Sequence, residues 1–168
     1  MKRMDTLAAH SVLSIARQRE GFDAERCRVV MEHIDTTTSL LAAIHKTLGR
    51  YHLSELQFAV LVVLFSLEPE QLGAADLAVH TAVSRSAMTE ALDHLEAQKY
   101  VVRTRDTHDR RLIAVTLTET GRSVVEPATL NLLQTMNGLT RFLTGEARDG
   151  LFAGYALLQE GAATFQAT

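Results

Sequence analysis

Apolar residues recur at helical spacing over most of the chain. The clearest stretch is residues 24–50, where Cys27, Val30, Ile34, Thr37, Leu41, Ile44 and Leu48 follow one another at steps of three and four. That is a seven-residue repeat on one helix face. A single stripe on a helix this long suits packing against several helices or a second subunit, and Gly49 ends it. Before it, residues 4–19 predict a short helix with Met4, Ala8, Val12 and Ile15 on one side, broken by Gly21. After it, Ser54 and Gln57 have the spacing of a capping box, in which each side chain bonds the other residue's amide. Residues 58–65 then form an eight-residue run that is apolar all round, as expected of a helix at the centre of a domain, with Pro69 as its stop.

The next segment changes character twice. Residues 74–80 predict a short helix, 81–83 a tight corner, and Ser84 the N-cap of a helix to about Gln98 with Met88, Ala91, Leu92 and Leu95 inward. The period then drops to two in the β-branched runs 101–105 and 112–117, separated by a polar tip at 106–111. Helix, corner, helix and hairpin make a winged helix-turn-helix. From residue 118 the pattern is helical again. One stripe comprises Val125, Ala128, Leu132, Met136, Leu139, Phe142 and Leu143, and a second, past Gly145, comprises Ala147, Leu151, Tyr155, Leu158, Ala162 and Phe165. The expected fold is mostly α with a small β-hairpin wing. Its layout is an N-terminal extension (1–23, a short helix or flexible), a dimerisation helix (24–50), the winged helix-turn-helix (54–118) and C-terminal dimerisation helices (119–168).

Composition narrows the function. With 168 residues, 46% hydrophobic and 22% charged, the chain can bury one core. It has no Trp and only 5% aromatics, which argues against a single-strand binder built on stacked bases. A lone cysteine, Cys27, excludes an intrachain disulfide and a thiolate zinc cluster. Its place on an apolar stripe favours a packed thiol over a peroxide sensor. The seven His show no compact ligand spacing, and no nucleophile–base pattern or Gly-rich phosphate loop occurs. Neither a metal, a cofactor nor an enzymatic activity is therefore expected. The N-terminus Met1-Lys2-Arg3-Met4-Asp5 lacks a signal peptide's apolar run, and eight apolar residues fall far short of the roughly 20 that span a membrane, so a cytoplasmic protein is expected. Net charge is −3, unevenly spread. Residues 80–111 hold six Arg or Lys and five acids (net +1), against 11 and 15 in the rest (net −4). A basic edge on an acidic body can still meet phosphates.

The stretch from Val83-Ser84-Arg85-Ser86 through Asp106-x-x-Asp109-Arg110-Arg111 to Leu117-Thr118-Glu119-x-Gly121-Arg122 resembles the MarR family of bacterial transcription regulators. Leu53-x-x-Leu-Gln-Phe58 and Leu77-Ala78 also fit, so the likeness covers about residues 25–165. The resemblance implies a two-fold symmetric homodimer built from the terminal helices. It also implies binding to a pseudo-palindromic operator in double-stranded DNA, usually as a repressor, and release by a small ligand, often an aromatic acid. Four residues depart from the pattern: Tyr100 and Ala82 where Gly is usual, and Glu90 and His94 where bases are common.

On this reading Ser84, Arg85, Ser86 and Thr89 enter the major groove, with Arg85 able to bridge guanine O6 and N7. By resemblance Arg111 enters the minor groove with Asp109 holding its guanidinium. Arg110 is the neighbouring candidate, and Arg103, Arg105 and His108 are expected phosphate contacts. The blander alternative for Arg85 is an ion pair on a solvated face, and for the tip a hairpin kept soluble by its charges. A second functional reading, motivated by Glu90 and the net charge, is a winged-helix interaction module that has lost DNA binding.

Overall fold

A computed structural model describes residues 6–69, 72–105 and 113–166. It forms two units, Met1–Thr135 and Met136–Thr168. The elements are α1 (Leu7–Gln18), α2 (Ala24–Gly49), α3 (Glu55–Ser66), β1 (Leu72–Gly73), α4 (Ala74–His80), α5 (Arg85–Ala97), β2 (Val101–Arg105), β3 (Ile113–Leu117), α6 (Glu119–Thr140) and α7 (Gly145–Gln166). The mostly α architecture with a small β wing matches the expectation from periodicity. Among the described residues no helix is long and apolar enough to cross a membrane.

The first unit is built around α3. Ser54 Oγ accepts from the Gln57 amide at 3.2 Å and Gln57 Oε1 accepts from the Ser54 amide at 2.9 Å, so the capping box is complete. Being apolar on all sides, α3 buries Phe58, Val60, Leu61 and Leu64. They share one core with Leu48 of α2, Leu77 of α4, Met88, Leu92 and Leu95 of α5, Val101 of β2, Val115 of β3, and Val125 and Ala128 of α6. Burying each of these side chains larger than alanine stabilises the fold by about 1.5–3 kcal/mol. The sheet is antiparallel in the order β1-β3-β2. β2 and β3 pair from Val101↔Leu117 to Arg105↔Ile113, and β1 adds Leu72↔Val115 and Gly73↔Ala114. β1 was not expected, because two residues are too few to display alternation.

Gly121 explains the chemistry of the chain's return from the wing. A Cβ there would lie 2.1 Å from the Tyr100 carbonyl oxygen. The same carbonyl accepts from the Thr118 amide at 3.0 Å, and the Thr118 hydroxyl donates to Lys99 O at 2.6 Å. Only glycine lets α6 begin this close to the end of α5.

One expectation is corrected. The buried face of α1 is Ala9, Leu13 and Ala16, while Val12 and Ile15 of the expected stripe point outward. Two alanines flanking one leucine allow α1 to lie close on α2, which the branched side chains would prevent. The left-handed residue after α5 is Lys99 (φ 60°), one position before Tyr100. Lys99 N–H donates to Glu96 O and Tyr100 N–H to Leu95 O, which is the Schellman arrangement with Lys99 at the strained position. Ala82 (φ 53°) ends α4 the same way, with Ala82 N–H on Val79 O and Val83 N–H on Ala78 O.

The second unit contains the last turn of α6 together with α7, and α7 buries none of its residues within a single chain. Phe142 is 80% exposed and Phe165 87%.

A left-handed conformation costs an L-residue about 1–2 kcal/mol. Glycine recovers that at a smaller entropic cost, so Ala82→Gly and Lys99→Gly should each stabilise the chain by about 0.5–1 kcal/mol. Gly121→Ala should destabilise it by about 1–3 kcal/mol or more through overpacking. Urea unfolding midpoints of the three variants check both signs.

Candidate nucleic-acid interface

The exposed side of α5 begins at its cap. Ser84 Oγ accepts from the Ala87 amide at 3.3 Å and lies 3.0 Å from the Ser86 hydroxyl. The Thr89 hydroxyl donates to Arg85 O at 2.9 Å. Met88, Ala91, Leu92 and Leu95 are buried, so Arg85, Ser86, Thr89, Glu90 and Asp93 are left facing solvent. No ion pair engages Arg85 among the described residues, so the solvated-pair alternative finds no partner there. Its guanidinium stands in the first turn of α5, where unsatisfied amides add a partial positive charge. This end of the helix can receive a phosphate or the acceptor edge of a base.

The other half of α5 differs. Arg103 of β2 reaches back to it: its Nη1 is 2.7 Å from Asp93 Oδ1 and 3.5 Å from Glu96 Oε2, and its Nη2 donates to Thr89 O at 3.4 Å. The Arg103 side chain is only 25% exposed. The structure thus places Arg103 in an intramolecular network, whereas the sequence reading set it toward phosphate. Periodicity could not have revealed this. It shows Asp93 and Glu96 one turn apart on α5, but not which strand residue lies opposite them.

Glu90 and His94 occupy the flank of α5 toward α3. With Ser54, Leu56, Gln57, Ala87 and Ala91 they line a shallow cleft of about 310 Å³. A second tie not anticipated from sequence is Arg122, which pairs with Glu68 and stacks over the Phe65 ring at 5.4 Å from its centroid. The hydrogen bond that the Arg122 guanidinium donates to the Glu68 carboxylate holds it above its ordinary pKa, against the opposing effect of desolvation. Arg105 ends β2. His108, Asp109, Arg110 and Arg111 lie outside the described residues. Cys27 is half-buried, and no cluster of three or more His, Cys, Asp or Glu suited to a metal occurs among the described residues.

Removing the cap tests the local order of this surface. Ser84→Ala should destabilise the chain by about 1 kcal/mol and speed amide exchange at Ser86 and Ala87 selectively, measured by native-state hydrogen exchange.

Residues 42–127 match the family described as transcriptional regulator SarA/Rot. Over 85 residues the chain is 35% identical to the HTH-type transcriptional regulator YwhA of Bacillus subtilis, a stretch covering 51% of this chain and 61% of YwhA. It thus spans about three fifths of that relative. A MarR-family regulator from Silicibacter pomeroyi shares the fold at 22% identity and a TM-score of 0.56, covering 77% of this chain and 86% of the other. So does BpsR of Bordetella bronchiseptica, whose DNA binding is regulated by 6-hydroxynicotinic acid, at 21% identity, a TM-score of 0.61 and 96% coverage of both chains.

Proposed function

The chain belongs to the SarA/Rot family of winged-helix transcriptional regulators, and on that premise we propose that it is a cytoplasmic, homodimeric repressor that binds a pseudo-palindromic operator and is released by a small aromatic acid. The observation that carries this reading is the split character of α5. One face is locked into the core, and the N-terminal half of the other presents Arg85, Ser86 and Thr89, with no acidic partner to Arg85 among the described residues. Arg105, His108, Asp109, Arg110 and Arg111 supply the accompanying wing contacts, with Arg111 in the minor groove, where a narrow A·T-rich duplex attracts guanidinium.

Dimerisation is supported by apolar surface that a lone chain leaves in water. Val30, Ile34 and Leu41 of α2 are exposed along most of the seven-residue repeat, as are Leu133, Met136 and Leu139 of α6 and Leu151, Phe152 and Leu157 of α7. Exposed apolar surface on this scale marks an interface. A two-fold dimer presents two copies of α5, which matches an inverted-repeat operator. Ligand release is supported by BpsR, where an aromatic acid regulates DNA binding in the same fold.

The purified chain should sediment as a dimer and shift a duplex from its own upstream region, with affinity falling steeply as salt rises. Arg85→Ala should weaken operator binding by about 1–3 kcal/mol and relax preference at one base pair. Arg111→Ala should weaken it as well and abolish preference for A·T pairs at the flank. Sedimentation velocity reads the dimer, and fluorescence anisotropy against operator, base-substituted and scrambled duplexes reads the binding outcomes. No shift of any genomic fragment at low salt would replace this reading with the interaction module.

A further inference from the structure

We infer that Arg103 is a positioning residue: with Asp93 and Glu96 it braces the wing against the recognition helix, and it does not contact phosphate. The inference rests on the DNA-binding reading above. Four contacts carry it. The guanidinium meets Asp93 Oδ1 at 2.7 Å, Glu96 Oε2 at 3.5 Å and the carbonyl of Thr89 at 3.4 Å, and the Arg103 backbone amide donates to Glu96 Oε1 at 3.3 Å. One strand residue thereby grips α5 from Thr89 to Glu96, close to two helical turns.

The strand end of the brace is equally fixed. Arg103 pairs with Val115 of β3, and Val115 is buried in the core. The hairpin therefore cannot tilt relative to α5 without breaking the guanidinium contacts or the ladder. A planar fork of five N–H donors suits this task, because it engages several acceptors in one plane while an ammonium offers a point charge. The network also offsets part of the negative charge of the two carboxylates on the C-terminal half of α5, which would otherwise repel the DNA backbone more strongly. The two reading elements must meet one duplex together, so each is effective only while the other holds it at the right angle.

The two roles open to Arg103 predict opposite signs for Asp93→Asn. If Arg103 served phosphate, removing a neighbouring negative charge would free it and tighten binding to any duplex. As a brace, the same change loosens the wing and weakens operator binding. The test uses the full chain as wild type, Asp93→Asn, Arg103→Lys and the double variant. Operator affinity should fall about 5- to 10-fold in each single variant, within the range of mutations that act through a contact network. The double variant should be no worse than either single. The slope of log affinity against log salt should stay at the wild-type value, since a lost phosphate contact would reduce it by about 0.9. Affinity for a scrambled duplex should be unchanged or higher. In the DNA-free variants, amides of 101–105 and 113–117 should exchange faster while the urea midpoint stays near wild type, because partly exposed ion pairs add little to global stability. Tighter operator binding by Asp93→Asn, wild-type affinity of Arg103→Lys, or unchanged hairpin exchange would each overturn the brace. Wild type failing to bind any duplex would instead overturn the functional reading, and the exchange result would still decide the brace.

Discussion

The burial of Met88, Leu92 and Leu95 against α3 is the interaction on which the rest of the structure depends, because it decides which side of α5 is left for a ligand. These three residues lie at helical spacing and are fully enclosed. With that face fixed, Arg85, Ser86 and Thr89 have nowhere to project but outward, and the cap at Ser84 sets where the outward face begins. Losing any one of the three would cost about 2–5 kcal/mol, a large share of a small domain's stability. Reading head and core are thus the same helix seen from two sides.

The electrostatics follow from that geometry. The chain as a whole is acidic, at −3. On α5, however, charge is divided along the axis. Arg85 stands at the amide-rich start, and Asp93 and Glu96 near the end are matched by Arg103 from β2. Glu90 and His94 sit on the flank toward α3 and line the cleft there. The negative residues that seemed to weaken the case for DNA binding are therefore partly neutralised or displaced from the N-terminal turn. A low net charge and a phosphate-seeking edge coexist because attraction is local, falling off over a Debye length of about 8 Å at physiological salt.

Much of this was readable in the residues. The Ser54–Gln57 capping box, the short α4, the Ser84 cap and the change of period at residue 101 all rest on local rules, and each appears where expected. Gly121 belonged to a recognisable motif, and its close approach to Tyr100 gives the physical reason for it. What was not readable depends on distant parts of the chain. β1 exists only because β3 offers an edge, and its two residues carry no pattern. The inward face of α1 is set by the surface of α2. Lys99 and Ala82 adopt left-handed conformations that local propensity would assign to glycine, and tertiary packing overrides it. Arg103 looked like every other cation in the basic segment until the fold placed it beside Asp93.

On the proposed function, this chain reads double-stranded DNA as a symmetric pair of winged helices. Selection of bound duplexes from a random pool, with the full chain at moderate salt, tests it most directly. The expected result is enrichment of an inverted repeat whose half-sites are centred about one helical turn apart, with A·T-rich flanks where the wings lie. Recovery of duplexes with no shared motif, or of a single unrepeated half-site, would contradict it.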